Sequence, residues 1–325
     1  VRRTLLAAAA VALAVSGCQS DPAEEAAPTG GFWGTAPANE EQRLEVLERA
    51  RLIDPCALLT RDRLGELGEV REVTQNDISA CQASVGPESL DERIELSWSV
   101  EVPGTASERA EEGEVIQVGD ASVRLLSDAD ALGEESVASM TRLGCHAAAE
   151  LPSGAEFVLD IRISRDQDAC AVATELTESA LTEWWQDPRP GTSPDGARTV
   201  LTGADPCAVT GKLGVTVPAD EQTLSVCRFV YRDSEVIVTY EYEEESLATG
   251  DEAAFTVGER PVYALGPSGG GEFGNIRSYS AVVGPALYPG VDPGTFSSPT
   301  VPSVRATGTE GVVEDVLREL LPTIS

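Results

Sequence analysis

The sequence predicts an α+β protein of two related domains, each an antiparallel β-sheet with flanking helices tied by disulfides. Three observations predict it. Segments of strict apolar alternation are separated by turn residues, the pattern of half-buried strands. The motif Asp54-Pro55-Cys56-Ala57 returns as Asp205-Pro206-Cys207-Ala208, followed each time by the same succession of patterns. Seven cysteines become six once Cys18 is set aside for the N-terminal signal, and an even number in an exported chain reads as disulfides.

Arg2 and Arg3 precede an apolar run over residues 5–15, too short for a spanning helix, which needs about 20 residues. Small residues then lead to a cysteine in Val15-Ser16-Gly17-Cys18, the pattern of a bacterial lipoprotein signal. Residues 1–17 are therefore expected to be a lipoprotein signal peptide. Cys18 is the expected lipidation site, carrying a diacylglycerol thioether as the first residue of the mature chain. The alternative is an ordinary signal peptide with a chance cysteine. Val1 fits a GTG start codon. The anchor would hold the chain at the extracytoplasmic face of the cell membrane, each buried methylene contributing about 0.8 kcal/mol. Residues 18–43, rich in Pro, Gly, Ala and acid up to about Ala38, read as lipidated cysteine plus flexible tether.

The first repeat spans residues 44–186. After its Asp-Pro-Cys come Leu58-Leu59-Thr60 and a helical stretch ending near 65–68. Cys81 lies in an apolar run at 78–85, and Ile94, Leu96, Trp98, Val100 and Val102 then share one strand face. Short strands are expected at 115–118 and 122–126 around Gly119-Asp120, then longer ones at 141–150 and 156–164. A helix over 167–185 follows, capped by Asp166 or Asp168 and stopped before Pro188. Residues 187–203, with Pro188, Pro190 and Pro194, read as a linker.

The second repeat, 204–325, follows the same order. A shorter helical stretch at 211–215 precedes Cys227 in the run 224–231, and Val236, Val238, Tyr240 and Tyr242 alternate after it. Strands at 254–257, 262–265, 276–283 and 300–306 precede a helix over 310–321 with Val313, Val316, Leu317 and Leu320 on one stripe. A Pro/Gly-rich insertion at 284–299 reads as a surface loop.

The duplication constrains the bridges. The second copy keeps the counterparts of Cys56 and Cys81 but lacks those of Cys145 and Cys170, whose places fall near Ser278 and Gly311. Residues missing as a pair are most simply bonded as a pair, which predicts Cys56–Cys81, Cys145–Cys170 and Cys207–Cys227. Each would join a helix start to a strand and contribute roughly 3 kcal/mol by loop closure. With one bridge, the second domain is expected to unfold first.

A lipobox, a polar tether, then Asp54-Pro55-Cys56-Ala57-Leu58-Leu59-Thr60 with a later cysteine before an alternating strand resembles the actinobacterial lipoproteins containing the "domain of unknown function 3558". Cys81, Cys145 and Cys170 fit that cysteine layout. The resemblance covers about residues 52–185 well and 203–321 more weakly, where two cysteines are missing. It implies a cell-envelope protein with an antiparallel sheet and packed helices, and no known reaction.

Composition narrows the partners. The chain has 325 residues, 42% of them hydrophobic, which supports folded cores. Its net charge is −32, and −34 once Arg2 and Arg3 leave. Such a field repels phosphate, which argues against nucleic acid. Lys212 is the single lysine, a bias that high-GC codon usage produces.

The sequence nominates no catalytic residue, no metal ligand set and no cofactor. His146, the only histidine, lacks companion ligands and is expected to point outward, away from Cys145. Gly266-Pro267-Ser268-Gly269-Gly270 matches Gly-x-Ser-x-Gly, but Gly271-Glu272-Phe273-Gly274 is a poor helix start and no histidine lies nearby. The acidic runs at 108–114, 243–245 and 251–252 read as solvated faces. Phe32-Trp33 in the polar tether is expected to dock back on a domain, the alternatives being the membrane interface and a partner contact. Of Trp184-Trp185, one ring is expected in the core. Tyr263, Phe273, Tyr279 and Tyr288 offer a second candidate patch.

The expectation is thus a membrane-anchored, non-enzymatic binding or scaffold module acting on an envelope protein, peptide or small molecule. The alternatives are an extracytoplasmic hydrolase centred on Ser268, and a ligand-carrying lipoprotein with an apolar pocket between sheet and helix.

Overall fold

The computed structural model describes residues 31–89, 91–104, 112–265, 275–287 and 299–324. It is an α+β structure with two antiparallel sheets. The first unit opens with α1 (Glu40–Ala50), whose Asn39 cap accepts a hydrogen bond from Gln42 N. A 3-10 turn at Pro55–Ala57 and α2 (Arg61–Gly65) lead into β1 (Val70–Asp77), β2 (Ala80–Val85), β3 (Ile94–Glu101), β4 (Glu114–Val118) and β5 (Ala121–Ser127). Short helices α3 (Asp128–Leu132) and α4 (Glu134–Val137) precede β6 (Arg142–Glu150), β7 (Glu156–Ser164) and α5 (Ala169–Trp184). The sheet order is β1-β2-β3-β7-β6-β5-β4.

Alternation sets the layers. Leu96, Trp98, Leu159, Ile161, Ala147 and Val123 are buried on the face that meets Ala173, Leu176, Ala180 and Trp184 of α5. Trp98 donates its ring N–H to Pro55 O at 2.7 Å, which fixes the Asp-Pro-Cys turn over the same core. Asp168 caps α5 by accepting from the N–H groups of Cys170 and Ala171.

The second unit comprises α6 (Thr210–Leu213), β8 (Val226–Tyr231), β9 (Ser234–Glu244), α7 (Glu245–Ala248), β10 (Ala253–Val257), β11 (Arg260–Leu265), β12 (Ile276–Val282), β13 (Thr300–Thr309) and α8 (Glu310–Leu320). Its order is β10-β11-β12-β13-β9-β8. That is the first sheet read from β4 to β2, with β1 left out. The duplication visible in the sequence is therefore a duplication of topology.

Three bridges join Cys56–Cys81, Cys145–Cys170 and Cys207–Cys227, with Cα–Cα separations of 5.3, 5.2 and 5.2 Å. They are the pairs that the duplication predicts. One detail of that alignment changes. Strand register carries Cys81 to Cys227, and hence Cys145 to Arg277 rather than to its neighbour Ser278, which lies on the opposite face as the counterpart of His146. Cys170 and Gly311 both stand second in their helices. Where the first unit has Cys145–Cys170, the second places Arg277 3.8 Å from Glu310, a partly exposed ion pair.

Two boundaries also move. The segment expected to be tether reaches into the fold: Trp33 is 2% exposed, and its carbonyl accepts from Ser153 N. Helix α1 begins at Glu40, inside the expected tether. The linker at 187–203 is packed rather than loose. Asp54 Oδ2 accepts from Gly191 N and Ser193 N, both at 2.9 Å, and Ala197 N donates to Gln75 Oε1 at 2.6 Å.

Between the units the cores trade residues. Ile78, from the β1–β2 turn, belongs to the second core, and Leu224, from the segment before β8, belongs to the first. Buried Arg51 donates to Leu224 O and Thr223 O and lies 3.1 Å from Asp205 Oδ1. Asp77 Oδ1 accepts from Tyr242 N at 3.4 Å, on the part of β9 that extends beyond β8. A Cβ on Gly104 would stand 2.6 Å from Asp220 O, so the backbones meet there only because that residue is glycine.

Candidate functional site

Helix α5 covers one face of the first sheet, and the opposite face carries an open polar trough of about 650 Å³. Strand alternation supplies its lining. Glu72, Ser84, Glu95, Arg162 and Gly144 stand side by side across β1, β2, β3, β7 and β6. Gln82, Ser97, Asp160, His146 and Leu126 form the next row across β2, β3, β7, β6 and β5. Small residues (Ser84, Ser97, Gly144) make the floor and long polar ones the walls, while Asp128 and Ala131 of α3 close one side. A Cβ at Gly144 would lie 3.1 Å from Ile161 O and 3.2 Å from the Asp128 carboxylate, so the floor is already as full there as it can be.

The charges are partly committed. Arg142 donates to Glu95 Oε2 at 3.1 Å and to Arg162 O at 3.0 Å. Asp128 Oδ2 accepts from Gly144 N at 2.6 Å. His146 Nδ1 lies 2.9 Å from Asp160 Oδ1, and this hydrogen bond raises the imidazole above its ordinary pKa, against a smaller opposing effect of burial. Ser84 Oγ and Arg142 Nε are buried with no hydrogen-bond partner among the described residues. Gln82, Asp160 and Arg162 are exposed.

This arrangement can bind, through donors, acceptors and both signs of charge. It does not form a nucleophile. Across the sheet the order is Ser97, Asp160, His146, so the carboxylate stands between hydroxyl and imidazole. A serine nucleophile needs the imidazole in the middle to take its proton.

The residues singled out from the sequence are dispersed. Cys18 and Ser268 lie outside the described residues, as do Phe273, Tyr288 and most of the 108–114 run. Trp33 is docked in the core of the first unit, the first of the expected readings, and is unavailable as a partner contact. It packs edge-on against Trp184 with ring centroids 5.3 Å apart, and Phe32 also meets it edge-on, with the Arg49 guanidinium 4.4 Å from the Phe32 ring centre. Trp184 is the core ring of its pair, and Trp185 is 37% exposed. Tyr279 is buried against Phe255 and donates to Glu314. No group of three or more His, Cys, Asp or Glu side chains placed to hold a metal ion occurs among the described residues, and no helix there is long and apolar enough to cross a membrane.

On the outer face of the second sheet, Arg305 pairs with Glu241 and Glu243, beside the fully buried Ser280 and Ser303. Burial pushes the Glu241 carboxyl up to about 7, with Glu243 and Asp77 adding to the rise and Arg305 opposing it.

Neither the trough nor this cluster stands out as a site in the sequence: His146 is singled out there alone, and Glu243, expected on a solvated face, is only 15% exposed and paired with Arg305. Their residues are the outward positions of strands whose register sequence alone does not give. Comparison of the chain with protein-family models, with curated proteins and with solved structures finds no match.

Proposed function

We propose that this protein is an extracytoplasmic lipoprotein of the cell envelope, tethered through Cys18, that acts as a non-enzymatic binding module. The ligand is taken on the open face of the first sheet. The observation that carries the binding role is the trough itself: a concavity of about 650 Å³ on a face that α5 leaves uncovered, with Gln82, Asp160 and Arg162 presented to solvent. The signal-like segment ending in Val15-Ser16-Gly17-Cys18 supports the address, and the three bridges are in keeping with an oxidising compartment. The Asp54 to Thr60 motif supports kinship with the lipoproteins it resembles.

The test is capture from envelope extract with the chain from Ser20 onward, alongside Ser97→Trp, which fills the trough floor without touching the helix-covered face. Ligand retained by the parent chain and lost by Ser97→Trp is the expected outcome. Equal capture by both overturns the trough as the site. Mass spectrometry of membrane-extracted protein tests the anchor separately, the expected result being a diacylglycerol adduct on Cys18 that Cys18→Ser abolishes.

A further inference from the structure

A second cavity of about 630 Å³ lies between the first unit and the linker, away from the trough. Its walls are the Asp-Pro-Cys turn, the start of α2, the end of α5 and the linker. The floor is apolar, made of Ala57, Pro188 and Pro194 over the Cys56 bridge. The rim is charged, and most of its charge is spent: Arg61 grips Asp195 at 2.6 Å, and Asp187 is held by Arg49 and Arg189. Asp62 and Glu183 remain without a cationic partner among the described residues. The C-terminal turn of α5 lies in the same wall, where the helix dipole adds partial negative charge. A concave site with an apolar floor and a few polar groups is the form that small-molecule sites take.

We infer that this cleft binds a small organic amine, its apolar stem on Ala57, Pro188 and Pro194 and its ammonium group toward Asp62 and Glu183. Charge selects the class: an anion would meet two uncompensated carboxylates and a helix C-terminus, and a neutral molecule would gain from the floor alone. The linker wall is fixed by Asp54 through Gly191 and Ser193, so the cleft is preformed.

Isothermal titration of the full chain tests this with n-hexylamine, compared with hexanoate, hexanol and ammonium chloride. Hexylamine is expected to bind saturably and more tightly than the other three. Thr192→Trp, at an exposed lining position, is expected to abolish binding by filling the cleft. The pair Asp62→Asn and Glu183→Gln, which leaves the packing intact, is expected to weaken it about fivefold, the upper range for exposed charge pairs. Hexanoate binding as well as hexylamine, or hexylamine binding unchanged in both variants, overturns the proposal. A lysine-bearing peptide binding more tightly than hexylamine overturns the small-molecule assignment in favour of a protein side chain. The trough variant Ser97→Trp is expected to bind hexylamine normally, so the two sites stand or fall separately.

Discussion

Asp54 and Asp205 occupy the same place in the two copies, and each serves both its own turn and the joint. One oxygen of each caps its own turn, accepting from the N–H of Cys56 or Cys207. The remaining capacity goes to the joint, Asp54 to the linker N–H groups and Asp205 to Arg51. The motif that marks the duplication therefore builds the joint. Glu241 is different, because its site raises the carboxyl toward neutrality. Its folded pKa of about 7 exceeds the ordinary 4.5, so the folded state holds the proton more tightly than the unfolded chain. Stability from this group is fully present below the unfolded value and is lost as pH rises from about 4.5 through 7. The side chain is 21% exposed and its pair with Arg305 is partly screened, so the loss is about 1–2 kcal/mol. Urea unfolding of the parent and Glu241→Gln at pH 5 and pH 8 measures it. The parent is expected to lose more stability than the variant over that interval, and parallel behaviour removes the assignment.

Among the elements, β3 and β9 were legible because each has one buried and one wet face, which writes a period of two into Ile94 to Val100 and Val236 to Tyr242. Edge strand β1 was not. Of its eight residues only Val73 is buried, so no alternation marks it. Helix α1 begins within the expected tether, although Asn39 before Glu40-Glu41 is a start signal. The trough was illegible for a stronger reason: its two rows combine single residues from six strands, and only register brings them together. Register also yields a prediction. Arg277 and Gly311 hold the places of Cys145 and Cys170, and a Cβ on Gly311 meets nothing within 4 Å. The double variant Arg277→Cys, Gly311→Cys is therefore expected to form a fourth bridge. The exchange removes only a partly exposed ion pair, worth about 0–1 kcal/mol. Closing that loop adds roughly 3–4 kcal/mol in the chain-entropy model. Non-reducing peptide mapping should recover the 277–311 link. Free thiols at both positions, with the three native bridges formed, would show that the register equivalence is wrong.

At the scale of the whole molecule, the expectation that the singly bridged second unit unfolds first meets the exchange of core residues across the joint. Ile78 fills the second core from the first unit, and Leu224 fills the first core from the second. Unfolding either unit alone therefore strips an apolar side chain from the other and leaves a cavity, at about 2–5 kcal/mol for a residue of this size. It also leaves Arg51 without Asp205 and the carbonyls of Thr223 and Leu224, and a buried cation that loses its partners costs about 3–5 kcal/mol more. Together these exceed the roughly 3 kcal/mol by which one bridge distinguishes the units. The native chain is thus expected to unfold in a single transition, with calorimetric and van't Hoff enthalpies in agreement. Ile78→Ala with Leu224→Ala removes the exchanged side chains while leaving each unit's own core and bridges in place. In that variant the transition is expected to split, the second unit melting first. Two transitions in the parent chain would mean that the joint transmits less energy than its contacts imply, and one unbroken transition in the double variant would place the coupling in Arg51 and the linker instead.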